Sequence, residues 1–248
     1  MTKVRRGCLQ FSLRTVLVVM TVLAVGLGTW LERGRREKAA VEALEQQGYT
    51  VVVYEYQVDV NGRYVRNPRP PGPEWARRWL GKHCSDRVVG LTASCSTFND
   101  ESLRFASQLH QLRTLDNSVI EVRTVGKRAS WSLPCNYATR AGRTYEPITD
   151  TGLGFVNGLT RLESLIMIGT VVTDDGLRHL RGLRRLKRLK ISSPNITDEG
   201  IPYFLRLKRL DDLCVSGTSI SEAGVAELRG GLPDCEIVGP ADISTRER

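Results

Sequence analysis

Four phrases decide the architecture: ITDTGL at 148–153, VTDDGL at 172–177, ITDEGI at 196–201 and ISEAGV at 220–225. Their starts are 24 residues apart each time. A fixed period of this length marks a repeat protein, in which one unit cannot bury its own apolar face and must stack on its neighbours. Between the phrases runs a second skeleton. Leu162, Leu165 and Met167 match Leu186, Leu189 and Ile191, which in turn match Leu210, Leu213 and Val215. This L-x-x-L-x-L spacing predicts a short strand in every unit. A third column, Leu159, Leu183 and Leu207, belongs to the helical half.

The same frame reaches upstream. Phe98 to Leu103 (FNDESL) fills the phrase slot, with Leu109, Leu112 and Leu115 in register, and Val88, Leu91 and Ala93 fit a strand before it. The stretch from Val122 to Pro147 reads as a decayed repeat with an irregular convex side, because Val122, Gly126 and Leu133 hold the columns before Pro134 breaks them. Glu74 to Lys82 reads as a short amphipathic helix covering the first strand, and Leu232 to Ile237 as a closing cap.

Each repeated polar residue has a physical role. Thr149, Thr173, Thr197 and Ser221 stand where a helix N-cap is needed, and the acids that follow, Asp150, Asp174, Asp198 and Glu222, favour the positive end of a helix dipole. Gly152, Gly176, Gly200 and Gly224 allow close packing where the helix starts. Capping accounts for the acids without a calcium ladder, and no G-G-x-G-x-D repeat is present.

The N-terminus carries a different signal. After Lys3, Arg5, Arg6 and Arg14, residues 15–31 contain no charged side chain and are dominated by Val and Leu, which predicts a transmembrane helix at the short end of the spanning range. Trp30 suits an interface, and no A-x-A-like cleavage site follows, so an uncleaved signal anchor is expected over a cleaved signal peptide. Four Lys/Arg precede the span and four follow it, at Arg33, Arg35, Arg36 and Lys38. The short basic tail at 1–14 fits an N-in anchor, with the C-terminal domain on the non-cytoplasmic side. Residues 32–73 then read as a polar helical stalk with solvated charges and a weak apolar stripe (Ala39, Ala40, Ala43, Leu44), a β hairpin turning at Asn61-Gly62, and a Pro-rich connector. The repeat domain spans 74–238, and 239–248 is a polar tail.

TDxGL units of this kind resemble leucine-rich repeats of the cysteine-containing, F-box-associated type. The combination of FSLRTVLVVMTVLAVGLG at 11–28, PPGPEW at 70–75, the TDxGL units and LPDCEI at 232–237 more closely resembles the bacterial membrane-anchored repeat proteins abundant in planctomycetes. The resemblance implies an α/β leucine-rich-repeat solenoid: a curved parallel sheet on the concave side and helices on the convex side, preceded by the transmembrane helix and the small β hairpin. No F-box-like segment is present, and Pro194 replaces the Thr found at 170 and 218.

Function is sought on exposed positions of the concave strands, since a fold alone assigns none. The outward residues include Ser164, Ile166 and Ile168, then Arg188 and Lys190, then Asp212, with Ile166 and Ile168 expected as exposed apolar side chains beside a basic pair. That mixture suits a protein or peptide partner. The whole chain carries a net charge of +9, which favours anionic partners. Seven of the thirteen residues from Arg178 to Lys190 are Lys or Arg. Their positions on helix and strand spread the charge around the solenoid, so contact with an anionic polymer is secondary and sequence-specific nucleic-acid recognition is disfavoured, because no stacking aromatics are interleaved.

Nothing in the sequence points to catalysis or to a cofactor. His83, His110 and His179 lie in unrelated contexts, and no HExxH, GxSxG or phosphate-binding loop occurs. Six cysteines without CxxC spacing make neither a metal site nor a disulfide scaffold. The reading is a non-enzymatic, membrane-anchored protein-binding module, with an envelope-structural scaffold lacking a discrete ligand as the alternative.

Overall fold

The L-x-x-L-x-L stretches fold as a row of parallel strands laid down in sequence order. The computed structural model describes residues 13–47, 51–58, 68–70, 74, 78, 87–93, 98–118 and 146–243. A long helix, α1 (Leu13–Gln46), is followed by β1 (Val51–Tyr54), β2 (Val88–Thr92), α2 (Asp100–Ala106), β3 (Thr114–Asp116), α3 (Asp150–Val156) and β4 (Ser164–Met167). A 3-10 segment (Gly176–Gly182), β5 (Arg188–Ile191), α4 (Ile201–Phe204), β6 (Asp212–Cys214), α5 (Glu222–Gly231) and β7 (Glu236–Val238) complete the row. The seven strands form one sheet in the order β1 to β7; β1 is antiparallel to β2, and every later pair is parallel. The helical segments pack on one another in the same succession.

Register explains the columns. Leu91, Leu115, Leu165, Leu189, Leu213 and Ile237 lie side by side across β2 to β7, each at 8% exposure or less. The phrase openers Ile148, Val172, Ile196 and Ile220 and the column Leu159, Leu183 and Leu207 are buried as well, in one core that runs unbroken from α1 to β7. Burying a side chain of this size contributes about 1.5–3 kcal/mol, and here each does so against its counterpart one unit away.

The repeated acids do more than favour a helix dipole. Asp150 accepts the backbone N–H of Thr173 at 2.8 Å on one oxygen and the Thr173 hydroxyl at 2.7 Å on the other. Asp100 does the same to Thr149, Asp174 to Thr197 and Asp198 to Ser221. These charge-assisted pairs link each unit to the next. Thr149, Thr197 and Ser221 also cap their own segments, whereas Thr173 does not, and its segment starts as a 3-10 turn at Gly176. The glycine column is explained by the same link: a Cβ at Gly176 would fall on the Asp150 carboxylate, and one at Gly200 would sit 2.5 Å from Oδ1 of Asp174.

Both ends of this ladder are legible. In the first unit Ser102 holds the glycine position; its oxygen accepts the Asn99 N–H at 3.3 Å, the bond that a preceding acid would otherwise make, and its hydroxyl donates to Gln47 Oε1 at 2.5 Å, which ties the unit to α1. In the last of the four phrases the acid slot is Glu222.

Two expectations are corrected. Val122–Pro147 is not a decayed repeat within the row. β3 pairs directly with β4 (Thr114↔Ser164), and Asp100 reaches Thr149 as one unit reaches the next, so the intervening stretch places no strand between them. Residues 119–145 themselves lie outside the described residues. The stalk is not merely solvated: Ala40, Val41 and Leu44 are at most 1% exposed and join the core, and α1 packs against α2. Within that stretch Glu37 is buried and takes Arg33 Nε at 3.0 Å, while Ala39 remains exposed. The edge of β2 is taken by β1, and the Glu74–Lys82 segment expected to cover the first strand lies outside the described residues except at positions 74 and 78. The return limb of the expected hairpin at 63–65 lies outside the described residues.

At the other end, β7 adds a final parallel strand. The start of the tail folds back onto it, where Asp242 accepts Gly239 N–H at 2.8 Å and pairs with Arg229 at 2.9 Å.

α1 is one continuous helix of 34 residues, without a break between the expected span and the stalk. It is long and apolar enough to cross a membrane, by length and composition, and every residue from Leu13 to Trp30 is exposed.

Candidate interaction surface

The outward side chains of the strands form rows set by register. Ser164, Arg188 and Asp212 are aligned across β4, β5 and β6, and Ile166, Lys190 and Cys214 form the next row. The two halves of this surface differ. Ser164, Ile166 and Ile168 are only 6%, 9% and 8% exposed, so the expected exposed apolar patch is corrected: these side chains are covered. Part of the cause is visible. Ile166 sits between Asp116 and Lys190 in register. Ile168 is held by Asn117, which accepts its N–H at 2.7 Å and donates to its carbonyl at 3.1 Å.

Arg188 and Asp212 are exposed, and Lys190 and Cys214 half-buried. Among the described residues neither Arg188 nor Lys190 forms an ion pair, although Asp212 is the register neighbour of Arg188. The sheet therefore offers two cations and an acid without a mutual pair. Beside them Lys187 and Glu163 lie 3.7 Å apart, an exposed contact of little energetic weight.

Two free cysteines border the surface, Cys214 and Cys235. Burial pushes the Cys235 thiol up to about 11, helped by the negative charges of Asp212, Asp211 and Glu236. It is therefore a protonated thiol at neutral pH, a poor nucleophile and a poor metal ligand. His110 lines a groove beside α1, whereas His179 lies against Gly154 in another unit, so the described histidines are not brought together. Among the described residues no group of three or more His, Cys, Asp or Glu side chains is placed to hold a metal. Both oxygens of each laddered aspartate already accept a hydrogen bond from the neighbouring unit.

The basic run is not spread evenly. Arg184 and Arg185 lie on the turn between the Gly176–Gly182 segment and β5, and the matching turns carry Arg161 in one neighbour and Arg206, Lys208 and Arg209 in the other, all exposed. Arg161, Arg185 and Arg209 recur at the repeat spacing of 24. That periodicity is present in the sequence beneath the denser basic run at 178–190. The acids of the repeated phrases occupy the opposite edge, where strands lead into helices, while Glu163 and Asp211 directly precede β4 and β6 on the basic one.

No protein-family model matches the chain, and no curated protein matches it. Solved structures similar to it include an internalin of Listeria monocytogenes (16% identity, TM-score 0.36, covering 57% of this chain and 34% of that one). Another is a leucine-rich-repeat protein of Leptospira interrogans (19% identity, TM-score 0.31, covering 54% and 33%). The chain thus spans about a third of the length of these structures. The neighbours are leucine-rich-repeat proteins, and at this distance neither carries anything about function.

Proposed function

We propose that this chain is a non-enzymatic leucine-rich-repeat solenoid held at a membrane by α1, and that it binds a protein or peptide on the outward face of β5 and β6. The observation that carries this reading is the side-by-side placement of Arg188 and Asp212, exposed and without an ion pair to each other. Charges of both signs left free on a rigid sheet favour a partner with complementary charges and set its register. The exposure of Leu13–Trp30 supports membrane anchoring, and the basic residues at the start of the chain support placing the C-terminal domain on the non-cytoplasmic side.

A photo-reactive amino acid at Lys190 tests the binding face in cells. A discrete adduct is expected that disappears when Arg188→Glu is added and is absent when the probe stands at Glu199, on the acidic edge. Adducts indifferent to Arg188→Glu, in a variant that melts like the parent, would remove the sheet face from consideration. Digestion of intact cells with added protease reports the topology, and cleavage of the repeat domain is the expected result.

A further inference from the structure

The direction of α1 shows which edge of the stack faces the bilayer. Near the start of α2, Gln47 meets Ser102; just past the end of α2, Gly28, Thr29, Glu32, Arg33 and Arg36 share a groove with Ser107, Gln108 and His110. The helix therefore runs antiparallel to α2, and the exposed residues 13–27 project beyond the turns that lead from helix to strand. At 1.5 Å per residue they extend about 22 Å. Trp30, an interfacial residue type, stands level with that edge.

The turns along the edge are laced together by main-chain bonds. Arg113 O accepts Ser164 N at 2.9 Å, Glu163 O accepts Arg188 N at 3.0 Å, and Lys187 O accepts Asp212 N at 3.0 Å. Residues 157–161, 181–185 and 205–209 contain no Asp or Glu; the acids of this edge, Glu163 and Asp211, stand at the strand starts, and Glu163 is met by Lys187 at 3.7 Å. Their exposed Arg161, Arg184, Arg185, Arg206, Lys208 and Arg209 form no ion pair among the described residues; Arg161 reaches only the neutral Gln111, and Arg206 lies over the Tyr203 ring. The opposite edge, pointing away from the apolar end of α1, carries Asp150, Asp174, Asp175, Asp198 and Glu199. The stack is polarised along the axis of its own anchor, positive toward the apolar segment and negative away from it.

We propose that this basic edge rests on the anionic lipid headgroups of the bilayer that α1 enters, which fixes the stack upright with its helix-to-strand turns at the surface and its acidic turns in solvent. The inference rests on the reading of α1 as a membrane span. Cations within a Debye length of about 8–10 Å of an anionic surface are attracted to it, and the length of α1 between Trp30 and the docked Leu44 leaves no flexible tether to lift the edge away.

The test uses the full-length chain reconstituted in vesicles of phosphatidylcholine alone or with about one third phosphatidylglycerol. Arginines are modified with phenylglyoxal, an uncharged reagent, and read by mass spectrometry. Modification of Arg184, Arg185 and Arg209 is expected to fall about threefold or more in the anionic vesicles and to recover at high salt, with Arg178 and Arg188 unchanged. Arg184→Gln with Arg185→Gln is expected to weaken the protection of Arg209.

Equal modification in both lipids, while the protein resists alkaline carbonate extraction, would overturn the proposal and leave the span intact. Protection centred on Arg188 would overturn it in favour of the sheet face. Release by carbonate would refute the span and the proposal with it.

Discussion

The two edges of the stack carry opposite charges and use them in opposite ways. On the strand-to-helix edge, Asp100, Asp150, Asp174 and Asp198 each give both carboxylate oxygens to the next unit. On the helix-to-strand edge, Arg184, Arg185, Lys208 and Arg209 are exposed and pair with nothing among the described residues. The difference is one of reach and complement. A carboxylate one carbon from the backbone meets an N–H and an O–H presented together by the Ser or Thr of the neighbouring unit, and the repeat brings that pair back every period. The arginines repeat too, but no periodic acceptor repeats with them. A periodic charge is structural when its partner has the same period, and otherwise it is available to something outside the chain.

The sharpest break of this comparison is at the glycine that makes room for the carboxylate. Gly176→Ala would set a Cβ onto the Asp150 carboxylate, 2.7 Å from its Cγ and 3.0 Å from Val172 Cγ1. Either the acid leaves its seat or the units separate, and the loss is about 3 kcal/mol, from overpacking together with the charge-assisted bonds to Thr173. Urea unfolding of the full chain in detergent, followed by circular dichroism, measures it. Gly158→Ala is the control: it is exposed with nothing within 4 Å of the added carbon, so a change below about 0.5 kcal/mol is expected. Equal losses at the two sites would detach the glycine column from the ladder.

A smaller effect, with a sign of its own, is expected at Asp198. The Ser221 hydroxyl, and after it the Ser221 backbone N–H, hold this carboxyl below its ordinary value of 3.8. A depressed folded-state value means that the contribution to stability is present above that ordinary value and is lost as pH falls through the folded one. Asp198→Asn should therefore lower the melting temperature near neutral pH, and the gap from the parent should close as the solution is taken below pH 3.8. A gap that persists unchanged into acid would mean that the carboxylate charge plays no part at this step of the ladder.

How much of this was legible beforehand follows the same logic of period and partner. The leucine columns were plain, because translation by one unit buries each residue against its counterpart, and spacing alone reports that. Val122–Pro147 misled for the same reason: 26 residues is close to one period, and three residues fell on the columns. The contact of Asp100 with Thr149 and the direct pairing of β3 with β4 show the two units to be adjacent. The alternation that pointed Ile166 and Ile168 outward describes direction along a strand, not what lies over it, so their coverage could not be read from spacing. The docking of α1 was faint because its buried stripe, Gly34, Glu37, Ala40, Val41 and Leu44, includes a glycine and a charged residue and so carries little apolar signal.

The smallest expected effect tests the other edge. Arg184→Gln with Arg185→Gln removes two cations from a turn that contains no acid and whose side chains bury nothing, so folding stability should move by less than about 0.5 kcal/mol. The direction, if resolved, should be a gain, because Arg161, Arg206, Lys208 and Arg209 on the flanking turns outnumber Glu163 and Asp211. Urea unfolding in neutral detergent measures this without an anionic surface present. A loss comparable to that of Gly176→Ala would mean that these arginines serve the stack from within as the aspartates do, and the contrast between the edges would disappear. A negligible change combined with weakened protection of Arg209 in anionic vesicles would assign the charge of this edge to the membrane surface, since the same substitution would then cost nothing in folding and something only where lipid phosphates are present.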